Sequence, residues 1–105
     1  MFSRAMESRL LETSKAFPVM VLTGPRQSGK TTLLKYLFKD YHYISLESPD
    51  KLLSVKLDPR AFLLRHRDGV IIDEAQNYPE LFSYIQENVD DEHKSKIILS
   101  GSQNF

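Results

Sequence analysis

The sequence has 105 residues, of which 41% are hydrophobic, so it can form one domain with an ordinary core. Its 14 Lys and Arg residues balance 14 Asp and Glu residues, and this neutral charge does not indicate a nucleic-acid or membrane surface. The chain contains no cysteine, which excludes disulfides and thiolate metal sites within it, and no apolar run approaches the length of a membrane span. Residues 1–10 lack the apolar segment of a signal peptide, so we expect a reducing, cytoplasmic setting.

The first half of the chain predicts two helices and two strands. Residues 3–16 carry apolar side chains at helical spacing and predict an amphipathic helix that is closed by Phe17-Pro18. The continuous apolar run at residues 19–23 predicts a strand that is buried on both faces. A helix is expected from the following loop to about residue 40, and residues 41–47 predict the second strand, with Tyr43, Ile44 and Leu46 buried.

The second half continues the alternation. Pro49 and Pro59 each stand at the first position of a predicted helix, and the second of these helices should be anchored by Phe62, Leu63 and Leu64. Residues 70–73 predict the third strand after an Asp-Gly turn, and residues 97–100 predict the fourth. Between them a helix is expected to start at Pro79, with its apolar face formed by Leu81, Phe82, Ile85 and Val89.

Short apolar strands that alternate with helices predict an α/β fold with a parallel sheet covered by helices on both faces. In such sheets ligands bind outside the carboxyl ends of the strands. Thr23, Asp73 and Ser100 each end a predicted strand, so we expect all three at that edge.

A phosphate-binding loop follows the first strand. Gly24, Gly29, Lys30 and Thr31 fill the fixed positions of G-x-x-x-x-G-K-[ST] between a strand and a helix. Backbone N–H groups at the helix start would hold phosphates, Lys30 would reach the β- and γ-phosphates, and Thr31 would ligate Mg²⁺. The predicted nucleotide-contacting segment comprises Gly24, Pro25, Arg26, Gln27, Ser28, Gly29, Lys30, Thr31 and Thr32.

Two further polar segments follow strands at the same edge. Beside a phosphate-binding loop, Asp73 would hold Mg²⁺ through a water, and Glu74 would orient the water that attacks the γ-phosphate. Without the loop, an acid that ends an apolar strand is more simply a turn or a helix cap. Ser100 could hydrogen-bond the γ-phosphate or that water, although an ordinary polar turn explains residues 100–104 nearly as well. Gln76 and Asn77 could sense the γ-phosphate or cap the next helix.

Residues 22–33, 71–76 and 99–102 together resemble a group of bacterial and archaeal ATPases in the AAA+ superfamily. The resemblance covers nearly the whole chain. It implies a three-layer P-loop NTPase core with the strand order 5-1-4-3-2. It also implies ATP and Mg²⁺ as cofactors, a Walker A loop at residues 24–31 and a sensor 1 region at residues 100–104. Asp73 and Glu74 would form the Walker B pair, with Glu74 and Lys30 catalytic.

Members of that group continue beyond this point with a fifth strand, a helical lid with a second sensor, and usually an uncharacterised C-terminal domain. We therefore expect residues 1–105 to be a single, partial nucleotide-binding domain of a truncated protein. The edge of the first strand would then be exposed, and it predicts either self-association through that edge or weak nucleotide binding.

Other functions remain open from the sequence. A non-hydrolysing regulatory module would bind the nucleotide only to order itself. A P-loop kinase would not need Glu74 and would need acceptor-binding residues that we do not identify. A helicase is disfavoured by the short stretch between Lys30 and Asp73 and by the lack of stacking aromatic residues and a basic groove.

Overall fold

The computed structural model describes residues 3–25, 29–88 and 96–102. Its helices and strands, in chain order, are α1 (Arg4–Ala16), β1 (Val19–Thr23), α2 (Lys30–Leu37), β2 (His42–Ser45), α3 (Pro49–Leu57), α4 (Pro59–Arg65), β3 (Val70–Asp73), a short 3-10 helix (Ala75–Asn77), α5 (Leu81–Asn88) and β4 (Ile97–Gly101). Each strand is thus separated from the next by at least one helix, as the sequence predicts.

The four strands form one parallel sheet in the order β1-β4-β3-β2. Thr23 lies opposite Gly101, Ser45 lies opposite Asp73, and Ile72 lies opposite Leu99. The carboxyl ends of all four strands therefore meet at one edge. The α/β prediction is confirmed, and the observed order agrees with the 1-4-3-2 part of the order that the resemblance implies.

Helices cover both faces of the sheet and form a three-layer structure. The core on one face joins α1 and α2 to the sheet through buried side chains, namely Leu10, Met20, Leu33, Leu34, Phe38, Ile71 and Ile98. The core on the other face joins α3, α4 and α5 to the sheet, and its members include Val55, Phe62, Leu63, Val70, Ile72, Leu81, Ile85, Ile97 and Leu99. Successive side chains of a strand point to opposite faces of the sheet, and helices cover both faces. Val70, Ile71 and Ile72 of β3 are therefore all apolar and buried.

Capping side chains fix two helix starts. The Ser3 hydroxyl accepts a hydrogen bond from the Met6 amide at 3.2 Å and starts α1. The Asp58 carboxylate accepts one from the Ala61 amide at 3.0 Å, and Pro59 occupies the first position of α4. A side-chain acceptor satisfies an amide that has no partner inside the helix, which is why these positions stop the preceding segment and start a new one.

Several predicted details are wrong. Leu64 is 62% exposed, because the buried side of α4 is formed by Phe62 and Leu63 and Leu64 lies on its outer side. The helix expected to start at Pro79 begins at Leu81, because Pro79 and Glu80 lie in a turn in which the Leu81 amide donates to the Tyr78 carbonyl at 3.1 Å. Helix α2 ends at Leu37 rather than near residue 40. The predicted contribution of Val89 falls outside the described residues.

None of the helices in the described part of the chain combines the length and the apolar character that crossing a bilayer requires.

Candidate site for nucleotide phosphates

The loop between β1 and α2 is anchored at both of its described ends. The Gly24 amide donates to the carbonyl of Gly101 at 3.3 Å, which ties the loop to the end of β4. Gly29 has φ 86° and ψ 5° and precedes the first residue of α2. This left-handed conformation is open to glycine and strained for most other residues, so glycine at this position lets the chain turn into the helix. Arg26, Gln27 and Ser28 lie outside the described residues.

Lys30 is the first residue of α2 and is only 5% exposed. Among the residues that the structure describes, its ammonium forms no ion pair with a carboxylate. A buried charge without a counterion is costly, and the amides at a helix start add further positive potential. Lys30 and the start of α2 therefore form a site that favours an anion. Pro25 and Thr32, which were also predicted to contact the nucleotide, are exposed.

Asp73, at the end of β3, is 6% exposed and accepts four hydrogen bonds. Its Oδ2 accepts from the Thr31 hydroxyl at 2.9 Å and from the Tyr43 hydroxyl at 2.7 Å. Its Oδ1 accepts from the Ser100 hydroxyl at 2.8 Å and from the Glu74 amide at 2.9 Å. These donors come from α2, β2, β4 and the turn after β3, so one carboxylate joins four segments of the fold.

The four donors decide the ionisation of Asp73. Burial on its own raises the pKa of this carboxyl group, because it penalises the charged form. The hydrogen bonds from Tyr43, Ser100, Thr31 and the Glu74 amide favour the charged form and outweigh burial, so the pKa of Asp73 lies below its ordinary value. Asp73 is therefore an anion at neutral pH.

Glu74 follows Asp73 in a left-handed conformation, with φ 52° and ψ 43°, which is uncommon for a residue with a side chain. Its side chain is buried at 7% exposure. Oε1 accepts a hydrogen bond from Gln76 Nε2 at 2.6 Å and another from the Ser102 hydroxyl at 3.1 Å. The strained turn thus holds a second carboxylate beside Asp73 and orients it through two neighbouring side chains.

Thr31 and Asp73 have the chemistry of a magnesium site. Their side-chain oxygens lie 2.9 Å apart, and one of the two residues carries a negative charge. Magnesium prefers oxygen ligands and is usually held by one or two protein groups together with water and substrate phosphates. Within the described residues no group of three or more His, Asp or Glu side chains could enclose a metal ion. Thr31 and Asp73 therefore fit a magnesium ion that would take its other ligands from water and from a phosphate chain.

The structure brings most of the predicted site residues together, but it also adds residues that sequence reasoning missed. Ser100 is fully buried, and its hydroxyl donates to Asp73, so a direct contact with the nucleotide stays a prediction. Asn77 Nδ2 donates to the Leu46 carbonyl at 3.1 Å. Tyr43 was expected only as a core residue, and the sequence offers no signal for its role, because polar groups also occur at Tyr41, His42 and Ser45 in the same predicted strand.

Comparisons with known proteins agree with this geometry. A family model described as an AAA domain matches residues 16–105. An uncharacterized protein of Mycobacterium tuberculosis and one of Mycobacterium bovis are each 35% identical over 88 residues, or 83% of this chain. The chain spans about a fifth of the length of these curated relatives, since the aligned segment is 20% of each. No solved structure matches the chain significantly.

Replacing Ser100 by alanine should raise the pKa of Asp73 and destabilise the fold at neutral pH by about 1–3 kcal/mol, because a buried anion loses a donor. A depressed carboxyl pKa stabilises the fold above about pH 4 and ceases to do so as the pH falls through the folded pKa. The deficit of the variant should therefore shrink as the pH falls below about 4. Urea unfolding over a series of pH values from 7 downward measures the deficit, and carbon-detected NMR titration of the carboxyl group measures the pKa.

Ser54→Ala is the matched control, because Ser54 is exposed on α3. It should leave both the pKa of Asp73 and the unfolding free energy close to those of the unchanged chain. An equal stability at pH 7 for Ser100→Ala and Ser54→Ala would contradict the role given to Ser100.

Proposed function

Because the chain belongs to the AAA domain family of P-loop nucleotide-binding modules, we propose that its nucleotide is ATP, bound with Mg²⁺, and that a longer protein containing this domain hydrolyses it. The observation that carries this proposal is the convergence of Lys30, Thr31, Asp73 and Glu74 at the carboxyl edge of the sheet. A buried cation, a metal-binding pair and a second carboxylate are the groups that ATP hydrolysis needs.

The first α2 turn would bind the phosphates. The Lys30 ammonium supplies a buried positive charge to the β- and γ-phosphates, and the amides at the start of α2 donate to phosphate oxygens. Gly29 itself carries no side chain that would stand between the amides at the start of α2 and a ligand. Binding in this site would satisfy the charge of Lys30, which has no carboxylate partner among the described residues.

Thr31 and Asp73 would hold the metal, and Glu74 would act on the water. A bound magnesium ion would neutralise charge on the β- and γ-phosphates. Asp73 is suited to metal binding because its four hydrogen bonds keep it ionised and fixed in orientation. Glu74, one residue further, would accept a hydrogen bond from the attacking water and align it with the γ-phosphate.

One observation favours a second candidate, a module that binds the nucleotide without hydrolysing it. Glu74 Oε1 already accepts hydrogen bonds from Gln76 and Ser102, so only its other oxygen is available to a water. If those two bonds persist when the nucleotide binds, Glu74 would be a weak base and the domain would serve as a nucleotide-dependent regulator. Binding and phosphate release, measured separately, distinguish the two functions.

The variants Lys30→Ala and Glu74→Gln should separate binding from turnover. Lys30→Ala should weaken ATP binding about 10- to 100-fold, because it removes a charge-assisted contact to the phosphates. Glu74→Gln should keep the ATP affinity within about twofold and lower phosphate release by about 10²- to 10⁴-fold, because an amide cannot act as the base. Isothermal titration calorimetry on the chain measures the affinity, and a phosphate-release assay on the longer protein that contains the domain measures turnover.

Lys39→Ala and Glu80→Gln are the matched controls, because both side chains are exposed and lie outside the site. Both should bind and turn over ATP like the unchanged chain. Tight ATP binding by Lys30→Ala would refute the phosphate site. Unchanged phosphate release by Glu74→Gln would refute the role of Glu74, and ATP binding without phosphate release by the longer protein that contains the domain would favour the regulatory module.

We also propose that a second copy of the chain associates through the β1 edge. In the described part of the chain, β1 pairs with β4 on one side only. Val21 lies on the sheet face opposite Met20 and is 48% exposed, although Leu99, its partner on β4, is fully buried. A strand with unpaired backbone groups and an exposed apolar side chain is a template for pairing with another chain.

Replacing Val21 by lysine should shift the chain toward the monomer, because a charged side chain opposes the burial of this strand. Sedimentation velocity over a range of concentrations should show an associated species for the unchanged chain and at least tenfold weaker association for Val21→Lys. Leu57→Lys, on an α3 residue that is 78% exposed, should associate like the unchanged chain. A monomeric unchanged chain at all concentrations would refute the proposal.

A further inference from the structure

The Asp73 carboxylate has no acceptor position left for a new donor. An ionised carboxylate offers about four lone-pair positions on its two oxygens. Four hydrogen bonds within the protein occupy them, two on Oδ1 and two on Oδ2. A metal ion or its bound water can therefore bind to Asp73 only if one of these four hydrogen bonds breaks.

Three of these donors can keep their hydrogen bonds to Asp73 when a cation binds. The Glu74 amide belongs to the backbone of the turn, and the Ser100 hydroxyl is fully buried on β4, between β1 and β3. The Thr31 hydroxyl can keep its proton on Asp73 while its oxygen ligates a cation, because a hydroxyl offers one donor and two lone pairs.

Tyr43 is the fourth donor, and its position differs from that of the others. It lies on β2, at the end of the sheet order, and its side chain is half-buried. Its hydroxyl donates to Oδ2, the same oxygen that faces Thr31. Its ring packs against the core and has the Lys35 ammonium 3.9 Å from the ring centroid, so the ring is supported without the hydrogen bond.

We propose that the Tyr43 hydroxyl holds, in the metal-free protein, the position on Asp73 Oδ2 that a metal ion or its bound water requires. Tyr43 thus keeps the buried anion satisfied when the site is empty of metal and yields that position when a divalent cation arrives. It opposes cation binding by the net free energy of one hydrogen bond. This inference deepens the proposed function, since it rests on Thr31 and Asp73 as the metal-binding pair.

The test uses Mn²⁺ alone as the probe and needs neither nucleotide nor turnover. Mn²⁺ is titrated into the nucleotide-free chain and into Tyr43→Phe, and paramagnetic broadening of the amide NMR signals of Thr31 and Glu74 is followed. Tyr43→Phe should reach half-maximal broadening at an Mn²⁺ concentration about three- to tenfold lower, because the cation no longer displaces a hydrogen bond. Phenylalanine keeps the ring and its contacts, so the change isolates the hydroxyl.

Tyr36→Phe is the matched control, because Tyr36 is 59% exposed on α2, and it should behave like the unchanged chain. A higher Mn²⁺ requirement for Tyr43→Phe would overturn the proposal and make the hydroxyl a support of the metal site. Equal requirements for all three chains, or no broadening at Thr31 and Glu74 in any of them, would also overturn it. Failure of the ATPase proposal is detected separately, by the phosphate-release assay with ATP and Mg²⁺ on the longer protein that contains the domain.

Discussion

The ionised carboxylate of Asp73 is the interaction on which the rest of the site depends. A buried charge is tolerated only when hydrogen bonds replace its lost water, and here the hydroxyls of Thr31, Tyr43 and Ser100 and the Glu74 amide provide them. Each donor stands on a different segment, so the carboxylate fixes the start of α2, the edge of β2 and the end of β4 relative to β3. The same bonds that stabilise the fold also keep the metal-binding group charged.

The parallel sheet makes this convergence possible. In the order β1-β4-β3-β2, the strand that ends at Asp73 lies between the strands that carry Ser100 and Tyr43. Helix α2 packs across the same face through Leu33 and Leu34, and this packing brings its first turn over the end of β3. Apolar packing along the strands therefore determines where polar groups meet at their carboxyl ends, and a ligand site results at that edge.

The sequence was sufficient for the features that depend on local pattern. Apolar runs predicted β1, β3 and β4, and the glycine and lysine spacing predicted the loop between β1 and α2. Contacts that depend on register were not predictable, because a phenol reaches Asp73 from Tyr43 only in the observed pairing of β2 with β3. The left-handed turn at Glu74 has no signal in the sequence either, since no glycine or asparagine marks it. Leu64 shows the same limit, as periodicity could not tell which face of a short helix is covered.

The central claim is that phosphates bind at the start of α2 beside Asp73. Chemical-shift mapping with ATP and Mg²⁺ on the isotopically labelled chain tests it most directly. The account predicts that the largest amide shifts occur at Gly29, Lys30, Thr31 and Asp73, and that residues 49–65 on the distant side of the sheet change little. The claim would be contradicted if the amides at the start of α2 did not shift, or if the largest shifts occurred in residues 49–65.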